Sequence, residues 1–308
     1  MISECRAQAS PTKDQDISCR SSSPEVSNSE SRDTGAVLAI ESSTVRAGVA
    51  LMCGETVVVE LTAEKPRIHS TWLLPAVLEA MKLGDVGPRD ILCLVVSEGP
   101  GSFTGLRIGF ATAQGLAVAW SKPVMPVSSF LVLSAGISMA GWKGGALLAA
   151  SSSKDSAITA LYLTDGRGGA RELLEARDRS LECFLDEGAQ RIPEFQAESG
   201  SPAKVLCLGD AAQALLEEWV RRRENSGQAW AKQFILVPAD PYLALPRPGV
   251  LARIGRALFL QGKAVPPEKA LPRYYRKSPA RRSVTESRVS FERGAWEHGR
   301  DTRAGRDH

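Results

Sequence analysis

ILCLVVSEGPGSFTGLRIGFATAQGLAVAW, residues 91–120, is the stretch on which the fold turns. It opens with an apolar, β-rich run at 91–97, and a turn carrying Gly99, Pro100 and Gly101 follows. A helical pattern then runs over 104–120. A strand, a glycine-rich turn and a helix start together make a ready anion site, because the first N–H groups of a helix lack partners. Each sharper template fails on spacing. A Walker loop needs G-x-x-x-x-G-K-[ST], and the turn has no lysine. Gly99, Gly101 and Gly105 read G-x-G-x-x-x-G, one residue too long for a dinucleotide loop. PGSFTG is not a G-x-S-x-G nucleophile turn, and the histidines are only His69, His298 and His308. Gly99 and Gly101 therefore read as turn-shaping residues, and Ser102 and Thr104 as helix N-caps.

The helix itself says more. Gly105, Gly109, Ala113 and Ala117 recur every four residues, a stripe almost without side chains. Glycine in a helix interior costs about 1 kcal/mol relative to alanine, so something should approach closely enough to compensate. The pattern leaves two readings open: packing within the same lobe, or a helix–helix interface with a second protein. The working expectation is the interface, formed with the helix at 70–83. There Leu74, Val77, Leu78 and Met81 fall on one face, and Pro75 is expected near the first turn. Arg107 lies within the same segment.

Working outward, AVLAIESS, AGVALMC and ETVVVELTAE read as three strands joined by tight polar turns. KPVMPVSS reads as a short strand beyond the second helix. The second half repeats the theme more loosely. GALLAAS, SAITALYLT and ARELLEA are three strands, AKVLCLGD runs into a helix at 210–223, and 250–263 is amphipathic. A β-β-β-α-β-α order, met once clearly and once in degraded form, predicts an α/β protein of two lobes, the architecture of actin, Hsp70 and the sugar kinases. The expected divisions are 34–133 for the first lobe and 134–276 for a more divergent second. Residues 1–33, which are Ser-rich, and 277–308, with 8 basic against 5 acidic residues, read as disordered extensions.

Composition excludes several classes. Of 308 residues, 43% are apolar and 24% charged, and a net charge of +3 is too balanced to indicate a nucleic-acid or membrane surface. The cysteines (Cys5, Cys19, Cys53, Cys93, Cys183, Cys207) form no C-x-x-C pair, so free thiols in a reducing compartment are expected. No run approaches the roughly 20 apolar residues that span a bilayer, and the N-terminus shows no signal core. A cytoplasmic protein is expected.

LAIESST (38–44), RIHSTWLLPAVLEAM (67–81) and above all SEGPGSFTGLRIGFATAQGLAVAWSKPVMPVSSF (97–130) resemble the TsaB (YeaZ) family. The resemblance covers 36–133 well, and LPRYYRKSP (271–279) is similar to the family's closing motif. It implies the actin-like ASKHA fold. It also implies a non-catalytic subunit of the bacterial complex that makes threonylcarbamoyladenosine beside the tRNA anticodon. The partner would be TsaD, which transfers the threonylcarbamoyl group, bound through N-lobe helices. The ATPase TsaE would join with ATP, and tRNA would be met at most indirectly. A homodimer through the same helices is the alternative pairing. No metal or other cofactor is implied for this chain: the metal-binding H-x-x-x-H of TsaD falls here on Ser129 and Leu133, poor or impossible ligands. His69 reads as a cap or interface hydrogen-bonder. Glu41 stands where the family usually has Asp, and Ser151 and Ser156 stand where it has Asp and Glu. These departures weaken the rival reading, an ATPase or kinase of the same fold. A peptidase lacks both a nucleophile motif and a metal motif.

Overall fold

The computed structural model describes residues 35–153, 156–194, 202–225 and 233–275. The extensions expected at 1–33 and 277–308 lie outside them. Three strands open the fold: β1 (Ala36–Glu41), β2 (Arg46–Cys53) and β3 (Thr56–Glu64). Helix α1 (His69–Leu83), β4 (Ile91–Gly99), α2 (Phe103–Trp120) and β5 (Val124–Ser128) complete a five-stranded sheet of order β3-β2-β1-β4-β5. The meander is antiparallel, and β1, β4 and β5 run parallel. β1 is buried along its whole length. A central strand covered on both faces has no polar side to show, so it reads as one apolar run rather than an alternation.

The second half repeats this construction. β6 (Lys143–Ser151), β7 (Ala157–Asp165), β8 (Ala170–Arg179), β9 (Ala203–Leu208) and β10 (Phe234–Pro238) form a sheet of order β10-β9-β6-β7-β8. β6, β7 and β8 are antiparallel, and β6, β9 and β10 are parallel. Helices α4 (Leu181–Ala189) and α5 (Ala212–Asn225) take the places of α1 and α2. The two sheets are topological copies, which is the two-lobed actin-like α/β fold.

Two helices tie the copies together. α3 (Ser129–Met139) follows β5, yet Phe130, Leu133 and Ile137 enter the core of the second sheet with Leu148 and Ala160. α6 (Pro248–Leu260) follows β10, yet Val250, Leu251 and Ala252 pack on Val37, Ala39 and Val95 of the first. The sequence division had assigned α6 to the second lobe; it covers the inner face of the first. Its approach is close. A Cβ on Gly255 would fall 2.3 Å from Val95 Cγ1.

Two expectations shift in detail. Pro75 lies inside α1, beyond its first turn. Cys53 is disulfide-bonded, which corrects the reading of all six cysteines as free thiols. Cys93 and Cys207 are free and buried, and burial pushes both thiols up to about 12. No helix among the described residues is long and apolar enough to cross a membrane.

Candidate functional site

The glycine turn closes on its own chain. Ser102 is the N-cap of α2: its Oγ accepts from Gly105 N at 3.1 Å, and its carbonyl accepts from Leu106 N at 2.8 Å. Ser102 N donates to Ser43 O at 2.7 Å. The N–H groups of Ser102, Gly105 and Leu106 thus have partners on the segment after β1 or in the cap. Thr104, expected as a second cap, is an exposed residue inside the first turn. Gly99 takes a left-handed φ of 108°, where only glycine is at ease. A Cβ on Gly101 would fall 2.1 Å from Ser43 O.

Glu41 is sealed beneath this turn. It is fully buried, and its Oε1 accepts from Ser43 N at 2.7 Å and from Ser43 Oγ at 2.5 Å. Ser42 N donates to Ser97 Oγ at 3.1 Å. Burial raises the pKa of Glu41 above the usual carboxylate range, against hydrogen bonds that pull it down. Oε1 holds the β1 hook, and the buried Oε2 has no hydrogen-bond partner among the described residues. Ser129 and Leu133 are buried at the start of α3. Ser151 N donates to Asp210 Oδ1 at 2.9 Å, and Ser156 Oγ meets Ser153 Oγ at 2.8 Å. Among the described residues, no group of three or more His, Cys, Asp or Glu side chains is placed to hold a metal.

The two helices divide differently from the expectation. On α1, Val77 and Met81 enter the first sheet's core, while Leu74 and Leu78 stand 47% and 58% exposed. His69 is buried, and its Nε2 lies 2.9 Å from Thr44 O. A carbonyl only accepts, so Nε2 carries the proton. Burial lowers this histidine's pKa.

On α2 the small-residue stripe points inward. Gly105, Gly109, Ala113 and Ala117 are all buried. A Cβ would meet Ser42 O at 2.2 Å from Gly105, and Ser42 Oγ at 2.0 Å from Gly109. The close approach inferred from the stripe is real, but what approaches is the end of β1. A periodic stripe reports that a neighbour is near, not which neighbour. Arg107 is exposed, as are Phe103, Gly115 and Val118, the last at 69%. Gly115 has nothing within 4 Å of its would-be Cβ. Residues Phe103, Gly115, Val118 and Tyr274 were missed in the sequence. The available signal was Gly115, a helix-interior glycine out of phase with the four-residue stripe.

The outward side of α1 and α2 is therefore an apolar surface around an unfilled glycine, with Arg107 near one end. A family model described as TsaD, tRNA N6-adenosine threonylcarbamoyltransferase, matches residues 60–216. The tRNA threonylcarbamoyladenosine biosynthesis protein TsaB of Escherichia coli K12 is 30% identical over 247 residues, covering 79% of this chain and 96% of that one. The same-named protein of Bacillus subtilis 168 is 38% identical over 99 residues, 32% of this chain and 43% of its own. Among solved structures, YeaZ from Pseudomonas aeruginosa superposes with a TM-score of 0.58 at 24% identity, covering 78% of this chain and 99% of that one, a likeness of fold.

Proposed function

This chain belongs to the TsaB (YeaZ) family of tRNA threonylcarbamoyladenosine biosynthesis proteins, and on that premise we propose that it is a docking subunit without a reaction centre of its own. It holds the transferase TsaD on the outward face of α1 and α2. The observation that carries the reading is Gly115. A glycine inside a helix costs about 1 kcal/mol relative to alanine. Gly105 and Gly109 repay this by letting Ser42 approach, whereas Gly115 faces open space with Leu74, Leu78 and Val118 also exposed. A partner helix seated over Gly115 would bury these side chains and use the missing Cβ. TsaE with ATP joins the assembled pair, and tRNA is met through TsaD.

The rival ATPase reading is disfavoured by the turn, whose N–H groups at Ser102, Gly105 and Leu106 are already used, and by a Glu41 committed to Ser43. The test is co-expression with TsaD of the same organism, followed by size-exclusion chromatography and an assay for the modified nucleoside. Gly115→Leu is expected to abolish the complex and the modification while the monomer keeps its melting temperature. An intact complex would overturn the proposal. A wild-type chain that elutes as a dimer without TsaD, and loses that dimer in Gly115→Leu, would extend the same face to self-pairing.

A further inference from the structure

Near the start of α2, Arg107 lies against two aromatic rings. Its guanidinium carbon lies 3.8 Å from the Phe103 ring centroid and 5.9 Å from that of Tyr274. Its Nε donates to Tyr274 Oη at 3.1 Å, and the two rings contact each other at 5.1 Å. Phe103 and Tyr274 are each about half exposed. Tyr274 belongs to a closing segment fastened to this lobe: Arg273 N donates to Glu98 O, and Gln114 Nε2 donates to the carbonyls of Pro267 and Ala270.

Several other arginines of this chain meet carboxylates, as Arg46 does with Glu64, Arg179 with Glu187 and Arg247 with Glu60. No carboxylate among the described residues pairs with Arg107, and α2 contains no acidic residue. The rings and the Tyr274 hydroxyl orient the guanidinium and use Nε, and both terminal nitrogens are without a hydrogen-bond partner among the described residues. A stacked, oriented guanidinium has already lost the freedom that binding would otherwise cost.

We infer that Arg107 is a receptor for one carboxylate, an Asp or Glu side chain on the TsaD surface that seats over α1 and α2. The inference rests on the docking reading above and names a contact within it. A protein carboxylate fits better than an RNA phosphate because the surroundings are apolar and nearly uncharged. A nucleic acid draws affinity from several cations at once. Apart from Arg107, the described cations nearby are few: Arg273, which precedes Tyr274, and Lys82, which already lies 4.0 Å from Glu79.

The experiment measures Kd for TsaD by calorimetry at two salt concentrations. Arg107→Ala is expected to weaken binding about 30-fold, and Arg107→Lys should recover little of it because an ammonium lacks the planar fork. Tyr274→Phe, which removes only the hydroxyl, should weaken binding by about threefold at unchanged melting temperature. An Arg substitution of one acidic residue on TsaD should restore binding to Arg107→Glu. If Arg107→Ala binds within twofold of wild type while Gly115→Leu does not bind, the carboxylate receptor falls and the docking face stands. If Gly115→Leu also binds normally, the docking face itself falls. An Arg107→Ala variant with normal Kd for TsaD, but weaker tRNA retention by the complex, would reassign the residue to a phosphate and overturn the inference.

Discussion

Helices α1 and α2 on the first sheet occupy the same topological places as α4 and α5 on the second, yet the two pairs meet solvent in opposite ways. The α4–α5 pair is laced with charge. Arg222 pairs with Asp186 at 3.1 Å, Arg221 with Glu218 at 2.6 Å, and Gln213 bonds Glu217 at 2.9 Å. Among the described residues the α1–α2 pair has one loose ion pair, Lys82 with Glu79, and presents Leu74, Leu78, Phe103 and Val118. The inner faces are constrained alike, since both must fill a sheet. The outer faces are free to diverge. The α4–α5 pair wears the charged coat of a surface that stays wet, and the α1–α2 pair does not.

The largest effect that can break this comparison lies in the two glycines of α2. Gly109→Leu drives a side chain into Ser42 and is expected to destabilise the fold by about 3 kcal/mol or more, read as a fall in melting temperature. Gly115→Leu, two turns away, should melt at or slightly above wild type because leucine is the better helix former. Equal melting temperatures for the two variants would mean that the stripe has been assigned to the wrong side. Next in size, Leu78→Asp is expected to weaken TsaD binding about 100-fold. The matching change on the other pair, Val220→Asp, should leave binding within twofold, as read by titration calorimetry. If both variants bind alike, the contrast between the helix pairs has no functional meaning.

Smaller effects test the lock beneath the helices. Ser102→Ala removes the α2 cap and should cost about 1 kcal/mol in chemical denaturation. Glu41 gives a change of slope with pH rather than a step. Its folded pKa is raised by burial, so its contribution is full below the unfolded value near 4.5 and is lost as pH rises through the folded value. Glu41→Gln should therefore match wild type at pH 4 and exceed it at pH 8. A variant less stable than wild type at pH 8 would mean that the carboxylate is ionised and needed in that form.

Most of the frame was legible in the sequence. Three strands, a helix, a strand, the glycine turn and a long helix appear where the patterns of 36–120 place them, because the strands are short apolar runs bounded by turn residues and each helix has one buried face with a clear period. α3 was not visible. SFLVLSAGISM is apolar on every side, and a helix packed between two sheets has no polar face to give it away. β10, only five residues long, was also passed over. The swap of α6 was invisible for another reason. An amphipathic period shows that one face is buried but not against which sheet.

The candidate site was half legible. Leu74, Leu78 and Arg107 were named and are exposed. Val77, Met81 and the four stripe residues were named for the same face and point the other way. Their spacing was sound evidence of close packing, and the wrong neighbour was supplied. What separated the two sides was whether each glycine already had a contact, and only coordinates report that.

The exchange of α3 and α6 also sets a timetable. A ribosome releases the strands of the first sheet early, but the helix that covers their inner face is among the last of the described elements to be made. The cover over Val37, Ala39 and Val95 stays incomplete until Leu251 arrives. A premature stop just before Pro248 would thus do its damage about 150 residues and more upstream, in strands whose own codons are untouched.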